Sequence, residues 1–413
     1  MKILWVNQYF LHPTERGGQI RSLGILKPLH ARHEVHYAAL DDPESSAGRE
    51  LAHTYCSKAF AIPHHVVSRY SPAIALQVAR HLAASDLPLA VDRYASVELR
   101  ATVARLLTTE RYDAVVCDFA ASGVNMPTLE GAVLFQHNVE TTIFERHAAH
   151  AKTPFHRWFY GIQAERMRRY EARICRESAH VIAVSPVDAE RMRSMFGITN
   201  VSDVPTGVDV ESLTNRRPRT ITTDYIFVGS MDWLPNIDGM LWFVAEILPL
   251  IRRTKPDCRL TIVGRRPDAR IVALGDSDPL ITVTGTVNDV RPYLWGARAA
   301  ILPLRIGGGT RMKVYESMAA GVPMVSTSVG MEGLACVPGR DIVVADEPET
   351  FAAECIDLLD NPSRGEVVAS HAWDLVQRDC SHEAVALQFE SILSAANTSR
   401  LRQARSQRTS SGR

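Results

Sequence analysis

The chain has 413 residues, longer than one hydrophobic core usually grows, so two domains are expected. Forty-six Lys and Arg balance forty-six Asp and Glu, which argues against a protein that coats nucleic acid. Seven scattered cysteines with no C-x-x-C pair argue against a zinc site or a disulfide framework and favour a reducing compartment.

The N-terminal MKILWVNQYF reads as a first strand, because its apolar run is too short and too broken by polar residues for a signal peptide. Further strands are expected at 34–38, 114–117, 133–135 and 181–184, with helices at 17–31, 74–84, 96–109 and 157–177. No stretch approaches the ~18 apolar residues of a membrane-spanning helix. The expected location is the cytoplasm, with attachment to the inner face of the membrane as a further option. A run rich in Pro, Gly, Thr and charge then suggests a linker at 204–222 after a first domain of 1–203. Beyond it, strands at 225–228, 259–263, 281–284, 299–302, 324–326 and 342–344 alternate with helices near 237–253, 289–294, 311–320 and 348–359. This alternation predicts parallel α/β architecture in both halves, the second domain running over 223–375. A final helix near 382–396 is free to pack back on the first domain. The tail 397–413 has five arginines and no acid, and is expected to be disordered.

The most informative stretch is RIGGGTRMKVYESMAAGVP, 305–323. It reads as a strand end, a glycine loop, a helix capped by Thr310, and a return to a strand. Arg311 and Lys313 fall in the first helical turn, where the macrodipole disfavours cations. Their presence makes sense if an anion sits over the helix end, with Gly307, Gly308 and Gly309 letting backbone approach it. A phosphate or diphosphate is the natural candidate. The alternative is a plain tight turn with Lys313 pairing to Glu316 at i,i+3. Neither a P-loop nor a dinucleotide fingerprint is present. A carboxylate at Glu316 could accept two hydrogen bonds from a vicinal diol such as a ribose.

Other candidates are single residues at strand ends. Gly17 and Gly18 open a helix after the first strand, where backbone could approach a ligand or merely turn. His137 follows the strand in AVLFQHNVE, beside Asn138 and Glu140, at a place where open α/β sheets bind ligands. Gly264 follows RLTIV, and the TGTVNDV loop follows ITV; both could wall a pocket. The basic amphipathic stretch over 156–180 reads as a solvated junction helix or as a peripheral membrane contact.

Taken together, GGQIRSLGIL, QHNVE, VSPVDAERMRSMFG, VPTGVD, FVGSMDWLPNIDG and the donor-loop stretch GGGTRMKVYESMAAGVPMVST resemble glycosyltransferase family 4, the group 1 glycosyltransferases. The resemblance spans nearly the whole length. It implies a GT-B type α/β fold, two Rossmann-like domains facing across a cleft. The donor, a nucleotide-diphosphate sugar, would bind mainly the second domain and a glycan or lipid-linked acceptor the first, with no metal and no cofactor. Arg311 and Lys313 would hold the diphosphate, helped by Arg305. Glu316 would contact the donor ribose, and the backbone near Val287 would read the base edge. Gly229, at the end of the second domain's first strand, falls on the donor side, and His137 matches the family's histidine near the reacting sugar.

Two departures accompany the triple glycine. The first Glu of the family's Glu–seven residues–Glu motif falls at Gly308. In place of the usual basic pair after the second domain's first strand stand Ser230 and Asn236. The resulting expectation is a retaining, metal-independent glycosyltransferase of glycan, polysaccharide or glycolipid biosynthesis. The alternatives are a sugar-nucleotide epimerase of the same fold and a non-catalytic partner subunit that binds a sugar nucleotide.

Overall fold

The computed structural model describes residues 1–14, 16–42, 47–65, 78, 81, 85–151, 153–215, 219–306 and 312–410, with side chains as far as 397. The chain divides into two units, Met1–Pro205 joined by Val385–Arg413, and Thr206–Ala384.

The first unit is built on a seven-stranded parallel sheet. Its strands are β1 (Lys2–Asn7), β2 (Glu34–Asp41), β3 (Lys58–Pro63), β4 (Ala114–Asp118), β5 (Val133–Phe135), β6 (His180–Ala183) and β7 (Val201–Asp203), in the order β3-β2-β1-β4-β5-β6-β7. Both faces are covered, which is why β1 is apolar along its length rather than alternating. Ile3 and Trp5 enter one core, and Leu4 and Val6 enter the other. The Gly17–Arg32 helix covers the first face through Ile25, Leu26 and Leu29. The last helix, His382–Ser410, adds Val385, Phe389 and Leu393 to that core, with Phe389 stacked on Trp5 at 5.4 Å. The Val97–Thr109, Pro154–Glu177 and Pro186–Phe196 helices cover the opposite face.

The second unit repeats the design with six parallel strands: β8 (Thr223–Val228), β9 (Leu260–Val263), β10 (Ile281–Val283), β11 (Ala297–Leu302), β12 (Met324–Ser326) and β13 (Val343–Val344). Their order is β10-β9-β8-β11-β12-β13. In open α/β sheets, ligands bind outside the carboxyl ends of strands where the strand order reverses. That point lies between β1 and β4 in the first sheet and between β8 and β11 in the second.

Several elements depart from the sequence expectation. β3 and β7 were not foreseen: one is a half-exposed edge strand, the other three residues long. The Pro362–Leu375 helix was not foreseen either; within it Gly365 packs against Pro323. The tail expected to be disordered is helical as far as Ser410, a run with good helix formers and neither Gly nor Pro. The division between units falls at Pro205, and a short Val210–Leu213 helix with Asp209 as its cap occupies part of the expected linker. The segment Leu234–Arg252 is, by length and composition, apolar enough to cross a bilayer, contrary to the sequence reading. Here it buries Ile237, Met240, Phe243, Ile247 and Ile251 in the second core and contains a wide turn at Phe243–Ile247, ahead of Pro249. Most of the helix expected at 74–84, and Gly307, Gly308, Gly309, Thr310 and Arg311, lie outside the described residues.

Candidate active site

The second domain's candidate site is assembled at the end of its central strand. β8 runs out at Val228, and Gly229 N–H continues the ladder by donating to Val263 O at 2.9 Å. Gly264 lies so close to this turn that a β-carbon on it would stand 1.7 Å from Gly229 O. Gly264 therefore has a packing reason for being glycine, whatever it does for a ligand. A β-carbon on Gly229 would meet Asn236 Nδ2 at 2.8 Å and Lys313 Nζ at 3.2 Å. The glycine thus makes room for the ammonium.

Lys313 comes from the Met312–Ala319 helix, which follows β11. Its Nζ donates to Asn236 Oδ1 at 2.7 Å and stands 4.7 Å from the centre of the Phe227 ring. Asn236 is buried, and its Nδ2 donates to Ser230 O at 2.8 Å, which fixes the amide oxygen towards the lysine. The cation is thereby held by a neutral amide and an aromatic face at the carboxyl end of β8. Glu316 follows one turn later on the same helix; burial raises its pKa, and Lys313 opposes that.

Sequence reasoning missed Arg265. β9 neighbours β8, so the residue after Gly264 reaches across, and Arg265 Nε donates to Ser230 Oγ at 2.8 Å. The signal was the GRRPD following a buried strand. Arg305 is not brought to Lys313 by any described contact. Its guanidinium pairs with both oxygens of Asp238, at 3.0 and 2.7 Å, over the Trp242 ring. Val287 is half-buried beyond β10, where it packs against the second core after the left-handed turn at Gly285.

The first domain carries a buried polar cluster at the ends of β1, β4 and β5. Asp118 closes β4 and is fully buried. Its Oδ2 accepts from Trp5 Nε1 at 2.9 Å, Asn7 Nδ2 at 2.7 Å and Ser22 Oγ at 2.6 Å. Its Oδ1 lies at hydrogen-bond distance, 2.7 Å, from His137 Nε2. His137 is 8% exposed, its imidazole stacked 3.7 Å from the Phe119 ring and 4.6 Å from Phe135. Burial lowers the His137 pKa, and the Arg21 charge adds to this; Asp118 opposes both. Phe119 holds a φ of +71°, a left-handed conformation rare for a side chain of this size.

Gly18 belongs to this cluster for a packing reason. A β-carbon there would stand 2.3 Å from the Phe119 ring, while one on Gly17 would meet open space. Arg21 is buried and donates to Gln136 O, Ala183 O and Val204 O, tying together the chain after β5, β6 and β7. Neither Arg21 nor Asp118 was singled out from the sequence. The available signal was a lone Asp ending the apolar run AVVCD. Beyond His137, the Glu140–Ala149 helix is started by Glu171, which accepts from Glu140 N–H at 2.9 Å and Thr141 N–H at 2.7 Å.

Two parallel-sheet Rossmann-like domains with these strand-end sites define a GT-B glycosyltransferase fold. The model "Glycosyltransferase Family 4" matches residues 17–212 and "Glycosyl transferases group 1" matches 222–361, so the chain belongs to the group 1, family 4 glycosyltransferases. Among curated proteins it is 24% identical, over 40% of the chain and 44% of the relative, to an uncharacterized 44.6 kDa protein in the cps region of Klebsiella pneumoniae. It is also 24% identical to a glycogen synthase of Mycobacterium tuberculosis, over 58% of the chain and 59% of the relative. The chain thus spans about half the length of the curated relatives it matches. Among solved structures, Anabaena HepE in complex with UDP superposes with a TM-score of 0.60 at 13% identity, over 96% of this chain and 100% of that one. That likeness speaks for the fold.

Proposed function

We propose that the protein is a retaining, metal-independent glycosyltransferase. It moves a sugar from a nucleoside-diphosphate sugar to a hydroxyl of a glycan or lipid-linked acceptor, in polysaccharide or glycolipid biosynthesis. The observation that carries this reading is the Lys313 ammonium, held by Asn236 and the Phe227 ring at the carboxyl end of β8. A cation placed there, at the strand where the sheet order reverses, stands where a phosphate would bind. HepE, of the same fold, is described in complex with UDP, which supports a nucleotide donor here too.

In this mechanism the chain acts by positioning and by stabilising charge. The acceptor oxygen bonds to the anomeric carbon on the face from which the nucleoside diphosphate leaves. The bond from that carbon to the phosphate oxygen breaks, and the acceptor's proton passes to that oxygen. Lys313, with Arg311 from the sequence reading, neutralises the departing diphosphate. Glu316 takes the ribose diol, and His137 holds a sugar hydroxyl. An acceptor requirement distinguishes this reading from its rivals. An epimerase consumes its sugar nucleotide with no acceptor present, and a non-catalytic subunit consumes none.

The Pro154–Glu177 helix supports peripheral contact with a membrane carrying the acceptor. Phe155 and Trp158 are 62% and 53% exposed and flank the exposed Arg157. Co-sedimentation with anionic vesicles, lost in Phe155→Ser with Trp158→Ser, tests this; binding that survives both changes contradicts it.

A further inference from the structure

His137 presents an unusual balance of satisfied and unsatisfied nitrogens. Nε2 is engaged by Asp118 Oδ1, while Nδ1 is buried and has no hydrogen-bond partner among the described residues. A buried polar atom left unpaired is costly and calls for an explanation. The ring cannot swing away to find another partner, because Phe119 lies flat on it at 3.7 Å and 12° while Phe135 packs at 4.6 Å. Nδ1 lies beside the start of the Gly17–Arg32 helix, 3.6 Å from where a β-carbon on Gly18 would stand.

The three other contacts of Asp118 decide the proton's place. Trp5 Nε1 and Asn7 Nδ2 offer only N–H, and Ser22 Oγ donates as well, so Oδ2 is filled by donors. A carboxylate is acceptor-only, so the hydrogen between Oδ1 and Nε2 belongs to the imidazole. We infer that Asp118 is a positioning residue that fixes His137 in the Nε2–H tautomer, so that the imidazole meets the substrate through Nδ1 as an acceptor and takes a hydroxyl group. The hydroxyl assignment rests on the glycosyl-transfer reading; the tautomer does not. Burial, which holds the ring neutral against the pull of Asp118, agrees with it. So does the nearby Arg21 guanidinium, 4.3 Å from the Phe135 ring centre, which disfavours a second positive charge.

The test is nitrogen NMR of the full chain with 15N-labelled histidine at pH 7, the His137 signals being assigned by their loss in His137→Gln. The wild type should show a protonated Nε2 and an unprotonated Nδ1. Imidazolium, or a proton on Nδ1, would overturn the inference with no variant needed. Asp118→Asn then reverses the local chemistry. Its one amide oxygen faces the donors of Trp5, Asn7 and Ser22, its NH2 faces Nε2, and the proton should move to Nδ1. Turnover of UDP-glucose by folded Asp118→Asn should fall about ten- to a hundredfold, as for a lost hydrogen bond to a buried polar group. Its affinity for UDP should stay at the wild-type value. A switched tautomer with wild-type turnover would overturn the role of Nδ1 while leaving glycosyl transfer intact. Absence of any transfer by the wild type would instead remove the hydroxyl assignment and the proposed function together, with the tautomer decided by the spectra alone.

Discussion

The carbonyl oxygen of Gly229 lies 1.7 Å from the place where a β-carbon on Gly264 would stand. The ends of β8 and β9 are pressed together there, and the chain on either side carries Ser230 and Arg265. Gly264→Ala must push the two backbones apart, since the obstacle is main chain and not a flexible side chain. Overpacking of this kind costs roughly 1–3 kcal/mol. The expected outcome in thermal unfolding is a lower Tm for the second domain, with nucleotide affinity reduced because the β8 turn shifts. An unchanged Tm would show that this contact carries no weight.

Glu171 predicts a pH dependence of stability. Burial raises its pKa to about 7 from the ordinary 4.5, against the hydrogen bonds from Thr141 and Glu140 that favour the carboxylate. A carboxyl with a raised folded pKa binds more protons folded than unfolded between these values. Its contribution is therefore fully present below 4.5 and lost as pH rises through about 7. Glu171→Gln removes the titration. The Tm of the variant relative to wild type should rise as pH goes from 4.5 to 7, measured by parallel melts across that window. A difference that stays flat, or falls, would mean that the hydrogen bonds from Glu140 and Thr141 outweigh burial.

His137→Ala should show two separable effects. Removing the ring leaves a gap between Phe119 and Phe135 and frees an oxygen of buried Asp118, so the melting temperature falls. Counted per folded molecule, kcat should also fall by roughly tenfold or more with little change in donor KM, because the contact belongs to the reacting geometry. Stability loss with wild-type kcat in the folded fraction would reduce His137 to a packing residue.

Turnover should be unaffected by excess chelator. The reading gives neutralisation of the departing diphosphate to Lys313 and the helix start, not to a divalent ion. Activity lost to chelation and restored by magnesium or manganese would contradict it.

The sequence disclosed the sheets because their strands are buried on both faces and read as apolar runs, as in KILWVN and AAIL. It disclosed the Lys313 helix through cations placed where a helix start disfavours them. What escaped it depends on strand order, which no local pattern encodes. Arg265 matters only because β9 lies beside β8, and Asp118 only because β4 lies between β1 and β5. Gly18 and Gly264 are open in the sequence to a ligand-facing or a structural reading, and the place a β-carbon on each would take is occupied by Phe119 or by Gly229 of its own domain. Arg305, which the sequence offers as a further phosphate cation, donates through Nε and Nη2 to the two oxygens of Asp238, on the Leu234–Trp242 helix that follows β8.

The central claim is that Lys313, held by Asn236 at the end of β8, binds the diphosphate of the donor. Calorimetry with UDP and GDP on wild type and Lys313→Ala tests it most directly. Losing a charge-assisted phosphate contact should weaken binding by roughly 1.5–3 kcal/mol, about ten- to a hundredfold in Kd, with the fold retained. Equal affinity of the two proteins for a nucleotide that the wild type binds would contradict it.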